Sequence, residues 1–284
     1  MSKFHEKPNQ FVKDIVLKVL DLEKSKVFYT EVMGFKVLNS DNKEVELTVD
    51  GINSIITLKQ PKAVIEKLPN KTGLYHFAIL LSSSVDLALF IKNLIDKQYP
   101  ITGASDHGVS NALYLNDPDN NGIEIYADTK SSTWLYQDGQ INMTTRRLDI
   151  DAIIKKADDK SWKGLSSKTK IGHIHLHVAD LKAAKKFYQE GLGYDLVASF
   201  PGQALFFSTG GYHHHVAVNI WNGKGVAPLA LNSVGLDYFS IDFADATTRQ
   251  KTIDNLKMLG YKITQEKDGY FTVDPSNNKI KLTV

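Results

Sequence analysis

The chain has 284 residues, 34 Lys and Arg against 32 Asp and Glu for a formal net charge of +2, and 42% hydrophobic residues, a profile that suits a globular protein of about two domains and excludes disordered and collagen-like chains. The absence of cysteine excludes disulfides, thiolate nucleophiles, iron–sulfur clusters and cysteine-type zinc sites, so any metal must be held by His, Asp or Glu. Three arginines (Arg146, Arg147, Arg249) cannot make a phosphate-reading stripe, and apolar runs the size of Phe77 to Leu81 fall far short of the roughly 18 residues of a membrane span, so neither nucleic acid nor membrane is expected as a partner.

Met1 to Gln10 is charged and lacks both an apolar core and a small-residue cleavage site, which predicts a cytoplasmic protein with His5 solvated in a frayed start. The next signal is a repeat. The run from Val19 to Phe35 returns 159 positions later as Val178 to Tyr194. Asp21-Leu22, Phe28-Tyr29, Glu31 and Gly34 match Asp180-Leu181, Phe187-Tyr188, Glu190 and Gly193 in register. In each copy the Asp is a helix N-cap, the Leu and Phe share a helical face, and the Gly supplies the left-handed C-terminal residue. Alternating runs follow each copy, Glu44 to Val49 and Ile55 to Lys59, then Ala204 to Ser208 and His215 to Trp221, and read as strands.

Two further units on the same template start at Gly73 and Gly235, 162 positions apart, and end in strands after the turns at Asp117-Pro118 and Asp274-Pro275. The fold class is therefore α+β: four βαβββ modules, at about 11–60, 72–128, 170–222 and 234–284. The first two are grouped as an N-terminal domain (1–128) and the last two as a C-terminal domain (170–284). The polar stretch 129–169, with Trp134 and Trp162, is taken as the linker.

The fourfold βαβββ pattern and the Asp-Leu-x5-Phe-Tyr-x4-Gly signature resemble the vicinal oxygen chelate superfamily, also called the glyoxalase, bleomycin-resistance and dioxygenase fold. The resemblance implies that modules pair and curl into a cup around a divalent metal. It also implies ligand positions: one in a module's first strand, seven residues before the helix-opening Asp, and one in its last strand. The first-strand positions are Asp14, His76, His173 and Tyr238, and the last-strand positions are taken as Thr57, Glu124, Asn219 and Lys281. Good ligands thus cluster in modules two and three, as His76, Glu124 and His173. Module two should pair with module three, and module one with module four. Strand alternation puts His173, His175 and His177 on one face and Ile174, Leu176 and Val178 on the other, with Glu124 and Tyr126 facing the cup. A lone His in a strand is more often a hydrogen-bonded core residue than a ligand, but three donors at equivalent registers of a repeated module point to a metal. His175 and His177 are divided between second-layer, substrate and plain structural roles.

Two His and one carboxylate leave adjacent coordination positions open, the set of non-haem Fe(II) oxygenases, whereas lyases of this fold use four protein ligands. The expectation is an Fe(II)-dependent extradiol dioxygenase acting on a small aromatic diol and O2, similar to the catechol-2,3-dioxygenase-like members of the superfamily. Mn2+, Zn2+ or Ni2+ are alternative metals. A glyoxalase-like lyase or isomerase is the alternative reaction, and a non-catalytic binding protein for a quinone or drug is the alternative class. A homo-oligomer is admitted by the exposed sheet edges, with no motif that calls for one. The chemistry needs an acid/base near the bound oxygens. Alternation back from Trp221 puts His215 and His213 on the cup side and His214 on the helix side, so His215 or His213 is the candidate. His107 is second, in a loop over the module-two edge, and Tyr126 could hydrogen-bond a ligand or the substrate.

Overall fold

The computed structural model describes residues 3–267 and 269–284. All four expected modules are present. The first comprises β1 (Phe11–Lys18), α1 (Leu22–Val27), β2 (Lys36–Ser40), β3 (Glu44–Thr48) and β4 (Ser54–Lys59). The second comprises β5 (Gly73–Leu80), α2 (Ser84–Asp96), β6 (Gly103–Asp106), β7 (Ser110–Asn116) and β8 (Gly122–Asp128). The stretch taken as a linker carries β9 (Tyr136–Gln137), β10 (Gln140–Ile141), β11 (Arg146–Arg147) and α3 (Ile150–Ile154). The third module has β12 (Lys170–His177), α4 (Leu181–Lys185), β13 (Asp195–Phe200), β14 (Ala204–Ser208) and β15 (Val216–Asn219). The fourth has β16 (Gly235–Asp242), α5 (Ala246–Met258), β17 (Ile263–Glu266), β18 (Gly269–Val273) and β19 (Lys279–Thr283).

The strand orders are β17-β18-β19-β16-β1-β4-β3-β2 and β11-β6-β7-β8-β5-β12-β15-β14-β13. Module one therefore shares a sheet with module four, and module two with module three, each joined through an antiparallel contact of first strands, β1 with β16 and β5 with β12. Each sheet draws on both halves of the chain. The helices cover the apolar faces, where Ile79, Ile123, Ile174, Leu176 and Val218 are fully or almost fully buried, and leave the opposite faces free for polar chemistry.

The repeat holds at atomic level. Asp21 accepts from the Lys24 N–H at 2.9 Å and Asp180 from the Ala183 N–H at 2.8 Å. The helices of modules one and three then widen into a π turn, Phe28–Val32 and Lys186–Gly191, and close on glycines with φ of +84° and +80°, Gly34 and Gly193. That turn aims a buried tyrosine at the following module: Tyr29 donates to Asp117 Oδ2 at 2.9 Å and Tyr188 to Asp274 Oδ2 at 3.1 Å. Both aspartates also cap their own Asp-Pro turns, accepting from the Asn121 and Asn278 backbone N–H groups at 2.8 and 2.9 Å.

The segment 129–169 does more than connect. β11 extends the second sheet beyond β6, Trp162 closes over Gly34 and meets Phe90 at 5.6 Å, and Trp134 stacks on Phe4 at 5.5 Å. No helix among the described residues is long and apolar enough to cross a membrane. Because each tyrosine hydroxyl serves a buried carboxylate that keeps its Asn partner, Tyr29→Phe and Tyr188→Phe should each lower stability by about 1–2 kcal/mol, read by urea denaturation.

Candidate metal centre and cavity

The second sheet brings three donors together. β5 pairs parallel with β8 so that Ala78 lies opposite Glu124, and antiparallel with β12 so that Ala78 also lies opposite His173. A methyl group in the middle of that row leaves room for the flanking side chains to lean over it towards His76, two residues away on the same face. His76 Nε2 lies 3.1 Å from Glu124 Oε2 and 3.3 Å from His173 Nε2, and His173 Nε2 lies 3.2 Å from Glu124 Oε2. All three residues are buried, and a ligand atom from each lies within 4.8 Å of the others.

Burial pushes the Glu124 carboxyl up, but the His173 and His76 imidazoles outweigh it and hold the group well below its usual range. Burial also lowers His173 to about 4 despite the carboxylate beside it. The donors are thus a carboxylate and a neutral imidazole on His173, the protonation a divalent cation requires. His173 Nδ1 is buried with no partner, so its ring is oriented by the cluster alone. Three unshared donor positions converging on one point fit a divalent ion.

The corresponding corner of module three is Ala217. Relative to its histidine, Glu124 sits opposite the residue two positions on (Ala78), and in module three that residue is His175, which pairs with Ala217. Asn219, expected at this position from the sequence, lies one pleat further, in the register of Tyr126. Its Oδ1 accepts from the Trp221 N–H at 3.1 Å and from His177 Nδ1 at 2.7 Å, which directs Nδ2 onto His175 Nε2 at 2.9 Å. Asn219 therefore braces two histidines, and His175 carries its proton on Nδ1. The fourth corner offers a methyl group and no ligand.

The donors open onto a cavity of about 250 Å3, lined by His76, Glu124, Tyr114, His107, His175 and His214, with an apolar side of Phe200, Phe206, Val109 and Met143. A larger groove of about 650 Å3 lies beyond Tyr75, His76 and Tyr114, which line both spaces; the donor cluster faces the smaller one, and Glu124 lines that space only.

The histidine run departs from expectation. Residues 213–215 precede β15 and follow a turn with positive φ at Gly210 and Gly211, so the two-residue period reaches back to His215 and no further. His214, expected on the helix side, lines the cavity. His215 does stay on the strand ladder but is withdrawn from the cavity: its Nε2 donates to the Phe4 carbonyl at 3.1 Å and its Nδ1 accepts from the Thr209 N–H at 3.4 Å. His213 turns to Asp128, with its Nε2 3.0 Å from Oδ1. Because a carboxylate only accepts, that His213 nitrogen carries the proton and its Nδ1 is an acceptor. His214 Nδ1, 2.9 Å away, must then be the donor, which leaves His214 Nε2 as a free base.

The other candidates divide. His107 lines the cavity, but both ring nitrogens are engaged, with the Thr144 carbonyl and the Tyr114 hydroxyl, each at 2.7 Å. Tyr126 is fully buried behind His173 and hydrogen-bonds the Tyr212 hydroxyl at 2.7 Å. His5 is not solvated: the 3-10 turn at Lys3–His5 folds back, its ring bonds the Gly172 carbonyl at 2.7 Å, and Phe4 packs on Tyr212. Sequence reasoning passed over Tyr75, Tyr114, Phe206 and Met143, whose spacing alone does not separate cavity wall from core. In the first sheet the matching positions, Asp14, Thr57, Tyr238 and Lys281, form no donor cluster of this kind among the described residues.

Comparison with known proteins agrees with this architecture. The sequence profile of the Glyoxalase/Bleomycin resistance protein/Dioxygenase superfamily matches residues 12–125 and 170–282. The chain is 43% identical over 262 residues, 91% of its length and 92% of the relative's, to the catechol-2,3-dioxygenase of Bacillus subtilis strain 168. It is 30% identical over 115 residues, 40% of its length and 60% of the relative's, to biphenyl-2,3-diol 1,2-dioxygenase 3 of Rhodococcus globerulus. Glyoxalase I of Zea mays shares the fold, with a TM-score of 0.58 at 19% identity over 96% of this chain and 92% of that one.

Burial lowers His5 to about 4 and His215 well below the usual 6.5. Above pH 6.5 neither ring takes up a proton on unfolding. Below it the unfolded chain binds protons that the folded one refuses, so stability falls with pH from about 6.5 towards 4, by up to ~1.4 kcal/mol per pH unit for each ring. Urea midpoints of the metal-free protein should decline across that window, and His5→Gln should flatten the slope; a pH-independent midpoint would contradict the assignment.

Proposed function

Because the chain belongs to the Glyoxalase/Bleomycin resistance protein/Dioxygenase superfamily, we propose that it is an extradiol dioxygenase, cleaving a catechol-type diol with O2 beside the hydroxylated carbons. The observation that carries this reading is the three-donor cluster of His76, Glu124 and His173 with Ala217 at the fourth corner, open to a small, largely apolar cavity. A carboxylate there, as a fourth ligand, would fill a position that two reactants need. With catechol the balance is one diol and one O2 giving one 2-hydroxymuconic semialdehyde, both atoms of O2 ending in the product and no external reductant being consumed. The bound metal, Fe(II) on this reading, supplies the coupling between an electron-rich ring and O2 that side chains cannot provide.

The chain's own residues supply the rest. Phe200, Phe206, Val109 and Met143 pack the ring and exclude water, which strengthens every polar contact at the donor end. The Tyr114 hydroxyl, tied to His107, and the Nδ1–H of the neutral His175 orient the diol oxygens. His214 Nε2 takes a hydroxyl proton and later returns it to the departing oxygen, while His213 and Asp128 hold the Nδ1 side of the ring so that Nε2 stays the base. A cytoplasmic setting suits a small diffusible diol.

The test is to load the protein with Fe(II) under anaerobic conditions, add catechol, and admit air. A yellow product with one O2 consumed per catechol is expected; bound iron without O2 uptake would overturn the proposal. Glu124→Ala should lose the iron, read by elemental analysis. His214→Gln should keep the iron and lower kcat by about 100-fold or more, whereas His215→Gln should leave kcat within a few fold.

A further inference from the structure

The two ends of the cup are built differently, and the difference starts in the backbone. Where β5 meets β12 the pairing slips twice. His76 faces His175 and Leu74 faces Leu176, so Tyr75 is an extra residue in β5; Ile79 faces Ile171 and Ala78 faces His173, so Gly172 is an extra residue in β12. These bulges are equivalent in the module repeat, each one residue before a donor histidine. A bulge breaks the alternation of side chains, and here it turns Tyr75 and His76, consecutive in the chain, into the same cavity.

At the Gly172 bulge no side chain is possible, because a β-carbon would be driven into the Tyr126 hydroxyl. Tyr126, Tyr212 and Phe4 seal that end. At the Tyr75 bulge the side chain is present and 39% exposed, and Trp221 across from it is 44% exposed while lining the same cavity. The rings meet edge to face, with centroids 5.2 Å apart at 82°. Tyr75 is steadied by His76 and His177 at 4.9 and 5.0 Å.

We propose that Tyr75, braced by the Trp221 ring, is the specificity gate of the cavity: the exposed member of a wall it shares with His76 and Tyr114, holding the substrate to a single ring with small substituents. This rests on the ring-cleaving function above. The cavity of about 250 Å3 lies below the roughly 300 Å3 at which pockets for drug-sized ligands begin. The groove of about 650 Å3 on the far side shares Tyr75, His76 and Tyr114 with it and offers Leu68, Leu74 and Leu229 as apolar surface for a second ring. Removing the Tyr75 ring should open the wall beside His76 and Tyr114 and extend the cavity towards the groove, so that the enzyme accepts two-ring diols.

The experiment compares catechol with biphenyl-2,3-diol in the Fe(II)-loaded wild type, Tyr75→Ala and Trp221→Ala. The ratio of kcat/KM for the biaryl diol to that for catechol should rise at least tenfold in Tyr75→Ala, mainly through KM, and by a smaller factor in the same direction in Trp221→Ala, which removes the ring that braces Tyr75. Calorimetric titration of both diols without O2 should give the same shift in relative affinity. If Tyr75 only supports His76, both substrates lose equally and the ratio is unchanged in both variants, which overturns the gate. If no variant cleaves either diol, the proposed reaction fails, and the calorimetric ratio alone decides the gate.

Discussion

The contact between β5 and β12 is the constraint on which the remaining structure depends. It is the antiparallel seam where two modules from opposite halves of the chain meet, and it carries one donor histidine on each side. Glu124 reaches the same point only because β8 lies parallel to β5, with the small Ala78 between the donors. An uncompensated carboxylate in that place would be expensive to bury, so the seam and the charge it brings together are explained jointly by a cation. The same seam, through its two slips in register, decides which end of the cup carries Tyr75 and which carries only Gly172.

Much of this architecture is legible in the sequence because it is repeated. Asp21 and Asp180, and Gly34 and Gly193, do the same work in both copies, as cap and as left-handed residue, so each copy supports the reading of the other. The pairing of module two with module three follows from where good ligands fall, since Tyr238 and Lys281 cannot complete a metal site. The donor histidines and Glu124 are legible for the same reason: they occupy register positions of a template, and tertiary context moves such positions little.

What stays hidden lies where the template is interrupted. Alternation extended back from β15 sends His214 to the wrong side, because the turn at Gly210 and Gly211 ends the two-residue period at His215, before it reaches His214. The period does hold for His215, yet Phe4 and His5 cover that end of the cup from more than 200 residues away, and no local pattern announces such a contact. The slip from Asn219 to Ala217 is of the same kind: a strand position counted along the chain, where the hydrogen-bonded register across strands is what counts.

The first sheet shows why the chemistry is confined to the second. It has the same construction, and its matching positions are Asp14, Thr57, Tyr238 and Lys281. A half-buried carboxylate occurs there too. Burial raises Asp14, and the Ser240 hydroxyl at 2.7 Å and the charges of Lys281 and Lys13 work against that rise. Lys281, in the register that Glu124 holds in module two, carries its ammonium 5.9 Å from the Tyr238 ring centroid. The counter-charge is therefore covalently attached. An ammonium group offers donors and no lone pair, so the first sheet partly offsets the cost of a half-buried acid without becoming able to hold a metal there. The same fold thus answers one problem twice, with a fixed cation in one cup and a set of converging lone pairs in the other.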